Sequence, residues 1–160
     1  MSREYTVSAG GITIAGATTL VFINPGTGQS IEILRCWVSQ SANATSAQQR
    51  VQLVTQVTAF PTLTSTTPAK HKFSDPVSVI VGGTAGAAGT SGTNASAEGA
   101  GAKSVILGDA FNVLNGWLWV PTPLETIVMN ASAASGFGLF LPVAPATLTN
   151  WSFGVTYREL

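Results

Sequence analysis

Cysteine and histidine each occur once in the 160 residues, as Cys36 and His71, and only 9% of side chains are charged. One cysteine excludes an intramolecular disulfide and a thiolate-rich zinc cluster. One histidine excludes multi-histidine metal centres and leaves His71 as the sole imidazole for a nucleophile–histidine pair. Seven basic and seven acidic residues cancel, so no net field draws the chain to nucleic acid or anionic lipid. No apolar run is long enough to span a bilayer as a helix. The opening Met1-Ser-Arg-Glu-Tyr5 lacks the apolar stretch of a signal peptide, so synthesis in the cytoplasm with no membrane partner is expected.

What is present is small and apolar. Hydrophobic residues make up 45% of the sequence, and a chain of this length buries roughly two-thirds of its unfolded surface as one domain. Residues 1–160 therefore read as one domain with its own core. Cys36, within Ile31-Glu-Ile-Leu-Arg-Cys-Trp-Val38, is expected to be a small buried thiol. A neutral surface does little to discourage self-association, which suits a domain that works inside an assembly.

Apolar and small polar residues alternate from end to end, the period of a half-buried strand. In the last segment Trp151, Phe153, Val155 and Tyr157 fall on one face, and Ser152, Gly154, Thr156 and Arg158 on the other. Shorter runs of the same kind cover 5–9, 12–14, 18–23, 31–39, 50–57, 77–81, 104–107, 114–120, 126–129 and 137–141. No long amphipathic helix is indicated; 41–49 suits a single helical turn or a loop. Gly/Pro clusters break the runs, and Asn24-Pro-Gly-Thr-Gly28 is the strongest hairpin signal among them. Many short strands with frequent turns predict an all-β, antiparallel β-sandwich, with a jelly roll the favoured topology. The exception is 82–102, almost wholly Gly, Ala, Ser and Thr. Such a composition predicts a long flexible loop or arm. Gly86, Gly89 and Gly92 within it are candidate contacts to an adjacent subunit, because small residues allow close backbone approach.

Reactive chemistry finds little footing. His71 sits in Lys70-His-Lys72, read as an exposed loop, and two lysines on a neutral chain make a weak phosphate or nucleic-acid footprint. Gly101-Ala-Lys-Ser104 lacks the glycine that a phosphate-binding loop needs before its lysine, and a strand follows it where a helix is required. The acidic residues are scattered, without calcium-loop spacing. No catalytic, cofactor-binding or metal-binding residue is expected, and the chain is read as a non-enzyme. Four Asn-x-Ser/Thr matches, at Asn43, Asn94, Asn130 and Asn150, read as coincidences of a Ser/Thr-rich sequence. Trp117 and Trp119 lie two apart on one face of a strand, with Leu118 and Val120 on the other. They are candidate interface residues, with core packing and a sugar-stacking platform as the competing roles.

Arg3-Glu-Tyr-Thr-Val7, Val38-Ser-Gln-Ser41, Asp109-Ala-Phe-Asn-Val113, Gly116-Trp-Leu-Trp-Val-Pro-Thr-Pro123 and Tyr157-Arg-Glu-Leu160 together carry a pattern that resembles small bacteriophage virion proteins of the capsid-decoration or head-stabilising kind. The resemblance spans most of the chain, except 82–102, which has no counterpart in it. It implies a β-rich structural protein of the virion, a homo-oligomer (a trimer in that family) seated on the major capsid protein or another virion protein. The alternatives are a tail- or fibre-associated adhesion module, a carbohydrate-binding β-sandwich using Trp117 and Trp119, and a glycan hydrolase with dispersed carboxylates such as Asp109 and Glu125.

Overall fold

The computed structural model describes residues 3–42 and 44–160; Met1, Ser2 and Asn43, the acceptor of one Asn-x-Ser/Thr match, lie outside the described residues. Among these residues there is no helix, and the strands are β1 (Arg3–Ile12), β2 (Thr18–Asn24), β3 (Ile31–Gln40), β4 (Gln48–Val57), β5 (Thr62–Ser65), β6 (Ala69–Lys70), β7 (Val81–Gly82), β8 (Thr90–Ala97), β9 (Ala102–Asn112), β10 (Trp117–Trp119), β11 (Ile127–Met129), β12 (Ser135–Leu141) and β13 (Trp151–Glu159). A six-stranded sheet runs β10-β3-β13-β1-β6, with β11 also on β3. A seven-stranded sheet runs β5-β8-β2-β12-β4-β9, with β7 on β8. Every pairing is antiparallel except β7 with β8. The two sheets pack face to face as a β-sandwich. Pairing is nested: β1 joins β13, β2 joins β12, β3 joins β10 and β11, and β4 joins β9, while β1 to β4 alternate between the sheets.

The predicted dry side of β13 is realised. Trp151, Phe153, Val155 and Tyr157 are fully buried, in one cluster with Tyr5 and Val7 of β1, Ile33 and Cys36 of β3, and Leu53, Phe137 and Leu139 of the second sheet. The ladder between β3 and β13 slips between Thr156 and Tyr157, whose partners are Arg35 and Ile33. Leu34 is the extra residue of this bulge, which is why Ile33 and Cys36, an odd number apart, both turn inward.

Residues 58–101 build a second, smaller core on the outer face of the seven-stranded sheet. β2 is buried along its whole length, as a strand covered on both faces must be. Phe22 points away from the main core and packs with Leu63, Ala95 and Phe60, the two rings 5.5 Å apart and tilted by 40°. Its ring lies so close to β12 that a Cβ at Gly136 would come within 2.3 Å of Cζ. Thr19 presents its backbone N–H and hydroxyl to the Glu98 carboxylate at 2.5 and 2.6 Å, and Lys103 pairs with the same carboxylate at 3.0 Å.

The expectation of a long loop over 82–102 is therefore corrected: the whole of β8 lies there, with Ser91, Gly92, Thr93 and Ala95 buried. Small side chains make a thin strand that fits closely between its neighbours, and ladder hydrogen bonds supply the order that side-chain volume does not. The hairpin expected at Asn24–Gly28 is also corrected. The turn carries the chain from one sheet to the other, with Gly26 N–H donating to Asn24 Oδ1 at 3.0 Å and Asn24 Nδ2 donating to Gly86 O at 3.1 Å. Of the run 77–81 only Val81 is in a strand. Its neighbours are held by side chains: Glu159 Oε1 accepts from Ser78 Oγ at 2.7 Å and from Val79 N at 2.9 Å.

Candidate interaction surface

The polar groups singled out in the sequence are dispersed by the fold. His71 stands at the edge of the six-stranded sheet, its Nε2 2.6 Å from Thr6 Oγ1 and its Nδ1 4.0 Å from Glu4. Glu4 also meets Arg158 at 3.6 Å, and Arg158 meets Glu32 at 3.3 Å across that sheet. Lys70 folds back onto the carbonyls of Phe73 and Asp75, both at 2.9 Å. Asp109 and Glu125 line different hollows. Among the described residues no three His, Cys, Asp or Glu side chains gather closely enough to hold a metal ion. Lys103 and Ser104 are in β9, a strand.

β10 pairs with β3 so that Trp117 lies beside Val38 and Trp119 beside Cys36, both inward-facing positions. Trp117 is 9% exposed and belongs to the main core. Its Nε1 donates to Asp109 Oδ2 at 3.0 Å, and this bond, with a second from Ala110 N–H, holds the Asp109 carboxyl below its ordinary range. Trp119 is half-buried against the same core. The two indoles thus form no external stacking platform: Trp117 packs in the core, while Trp119 lines a hollow at the sheet edge. The other face of this strand is exposed, with Leu118 at 64%, followed by exposed Val120.

The glycine candidates are placed inside the second core or at its rim. Gly86 is buried at φ +59°, where a Cβ would lie 2.7 Å from Phe60 Cβ. Gly92 is buried between Leu63 and the carbonyls of Gly83 and Thr64. Gly89, half-buried, accepts the Val81 N–H at 3.0 Å. Close approach is the use of Gly86 and Gly92, but to segments of this chain, whereas Gly89, at φ +73°, has open space where a Cβ would stand.

A different surface emerges along one flank of the sandwich, where β9 ends the seven-stranded sheet and β10 and β11 end the other. Val105 and Ile106 project from β9, Leu118 and Val120 from β10 and its exit, and Val128 from β11, all exposed. Leu124, at the tip of the Pro121–Thr126 connection, is 98% exposed. A shallow hollow of about 200 Å³ between Ile106, Leu107, Trp119, Glu125 and Ile127 joins the two sheet edges. Exposed apolar residues, where they form a contiguous patch, mark contact surfaces. The alternation of 117–120 already set Leu118 and Val120 apart in sequence; that β9 would join them was not readable, because strand neighbours across a sandwich are a property of topology.

A larger hollow of about 460 Å³ opens at one end of the sandwich, above Trp151. The polar groups at its wall are engaged with backbone: Gln40 Nε2 donates to Thr149 O at 3.0 Å, Gln49 Nε2 to Val143 O at 2.8 Å, and Trp151 Nε1 to Thr147 O at 2.8 Å. They tie the 142–150 connection over the end of the core.

Compared with protein families, with curated proteins and with solved structures, the chain matches none.

Proposed function

We propose that this chain is a bacteriophage structural protein, a decoration subunit that binds the capsid and stabilises the head through apolar, shape-complementary contact. The observation that carries the reading is the exposed apolar flank formed by β9, β10 and β11 on a sandwich with few charges elsewhere. Contacts of this kind suit a subunit that enters a symmetric array and stays there, since buried apolar area needs no charge pairing to hold. The sequence resemblance to virion proteins points the same way. The nested pairing supports a jelly-roll topology, an architecture that viral capsid and lectin domains share. On this reading the chain is made in the host cytoplasm and resides in the virion, as a homo-oligomer seated on the major capsid protein.

The test is co-sedimentation of the tagged chain with heads of the phage that encodes it, followed by electron cryomicroscopy of the pelleted particles. Density for the subunit on the head lattice is expected, together with a higher temperature of head disruption. A chain that stays in the supernatant, or that decorates tails alone, overturns the decoration role. Leu118→Asp is expected to weaken pelleting at least tenfold while leaving the isolated fold intact.

A further inference from the structure

The hollow of about 460 Å³ above Trp151 has the size of a small-molecule site, for which about 300–1,000 Å³ is usual. Its wall is mostly apolar, built from Ala47, Val113, Val143, Pro145, Ala146 and Trp151. The space is held open by fixed backbone. Over it, the 142–150 connection is tied down where Ile14 N–H donates to Leu148 O at 2.9 Å and Ser41 N–H to Asn150 O at 3.1 Å. Buried Pro145 stiffens the middle of that connection by fixing its own φ. On the facing wall Val113 N–H donates to Ala47 O at 3.0 Å. Such bracing leaves little ordering for a ligand to impose, which favours binding.

One buried polar atom of this wall lacks a partner. Gln49 is 4% exposed, and its Nε2 donates to Val143 O at 2.8 Å and to Arg50 O at 3.2 Å. Two carbonyl acceptors settle which amide atom is the nitrogen, and they use both of its hydrogens. The carbonyl Oε1 remains. Among the described residues nothing donates to it, and it is not one of the side-chain oxygens sealed from solvent. In a residue buried this deeply and lining the hollow, the open space that Oε1 meets is the hollow itself.

The wall therefore selects by polarity. An apolar body gains by leaving water for the side chains around Trp151, and a single donor on it supplies the hydrogen bond that Oε1 lacks. An ionised group loses its hydration on entry; the wall holds no carboxylate to receive a cation, and for an anion it offers only Arg50, which is exposed. We propose that the hollow above Trp151 binds a small, uncharged, apolar molecule carrying one N–H or O–H that donates to Gln49 Oε1. This site shares no lining residue with the hollow on the β9–β10–β11 flank, and it stands or falls apart from the capsid reading.

Three probes of one shape test it on the full chain: indole, 3-methylindole, which adds a carbon and keeps the N–H, and 1-methylindole, which adds the same carbon in place of that hydrogen. In a titration followed by amide nuclear magnetic resonance, indole and 3-methylindole are expected to give saturable shifts over 143–147 and at the Trp151 indole N–H. The 1-methyl compound, which leaves Oε1 unpaired, is expected to bind at least tenfold more weakly. Ala146→Phe places a ring in the hollow from an exposed position and is expected to abolish binding with the melting temperature unchanged; Ala144→Leu repeats the measurement if that variant melts early. Shifts that never saturate, equal binding of all three probes, undiminished binding in a filled variant that keeps its fold, or shifts confined to Ile106, Trp119 and Ile127 overturn the proposal.

Discussion

At Gly154 a missing side chain makes room for a large one. Trp37 lies flat on the outer face of the six-stranded sheet, and a Cβ on its register partner Gly154 would come within 2.2 Å of the indole Cζ2 and 2.8 Å of Ser8 Cβ. Arg35 covers the ring from above, its guanidinium carbon 4.9 Å from the centroid. Gly154→Ala is expected to push the indole off the sheet and cost about 1–3 kcal/mol, as overpacking does; unchanged tryptophan emission and an unchanged melting temperature would count against it. On the inner face of the same strand, Phe153→Ala removes a fully buried ring and is expected to cost about 3–5 kcal/mol in chemical denaturation. A cost below about 1 kcal/mol would mean that the strand faces the other way. Asp109 offers a pH prediction. Its folded pKa is depressed, first by the Trp117 bond and then by the Ala110 amide, against an ordinary value of 3.8. The stability it contributes is complete above that ordinary value and is lost as pH falls through the lower folded one. Asp109→Asn should flatten this acid limb in a fluorescence-monitored titration, and an identical acid limb in the variant would exclude the bond as its source. At this scale the sequence was legible where alternation was clean, as in β13. It was not legible at Trp117, whose inward direction depends on which strand β10 pairs with.

Among the elements, β8 departs most from what its composition suggests. Gly, Ala, Ser and Thr read as material that cannot build a core, and by side-chain volume that reading is sound. The fold uses them otherwise: thin strands let β5, β7 and β2 crowd around β8, while Phe22, Phe60 and Leu63 supply the volume from neighbouring segments. Local composition carries no record of which distant aromatic will lie over it, so the strand was invisible to sequence reasoning. Amide hydrogen exchange should therefore show protection over 91–93 comparable to that of β2; exchange as fast as at the exposed residues 87–88 would restore the loop. Deleting 83–100 is expected to unfold the second core and expose Phe22 and Leu63, lowering solubility and melting temperature together. Glu98→Ala, which leaves the Thr19 amide without its carboxylate partner, should cost about 1–3 kcal/mol, the range for a lost charge-assisted hydrogen bond.

For the whole molecule, the class of fold was legible and the path of the chain was not. Period-two alternation with frequent turns requires a sandwich or barrel, since each strand has a dry face to cover. It does not say which sheet the next strand joins. Asn24-Pro-Gly-Thr-Gly28 encodes a tight reversal, and the reversal occurs, but β2 and β3 continue in different sheets. The same gap hid the apolar flank, because an edge is defined only once strand order is known. That order has a consequence for how the protein is made. The middle strand of each sheet, β12 in one and β13 in the other, comes from residues 135–159. While a ribosome is still adding them, β1 and β3 have nothing between them, and neither do β2 and β4. Outer pairs such as β2 with β8 and β4 with β9 can form earlier, but neither sheet is joined through its middle until the end, so a truncated chain leaves apolar strand edges open to aggregation.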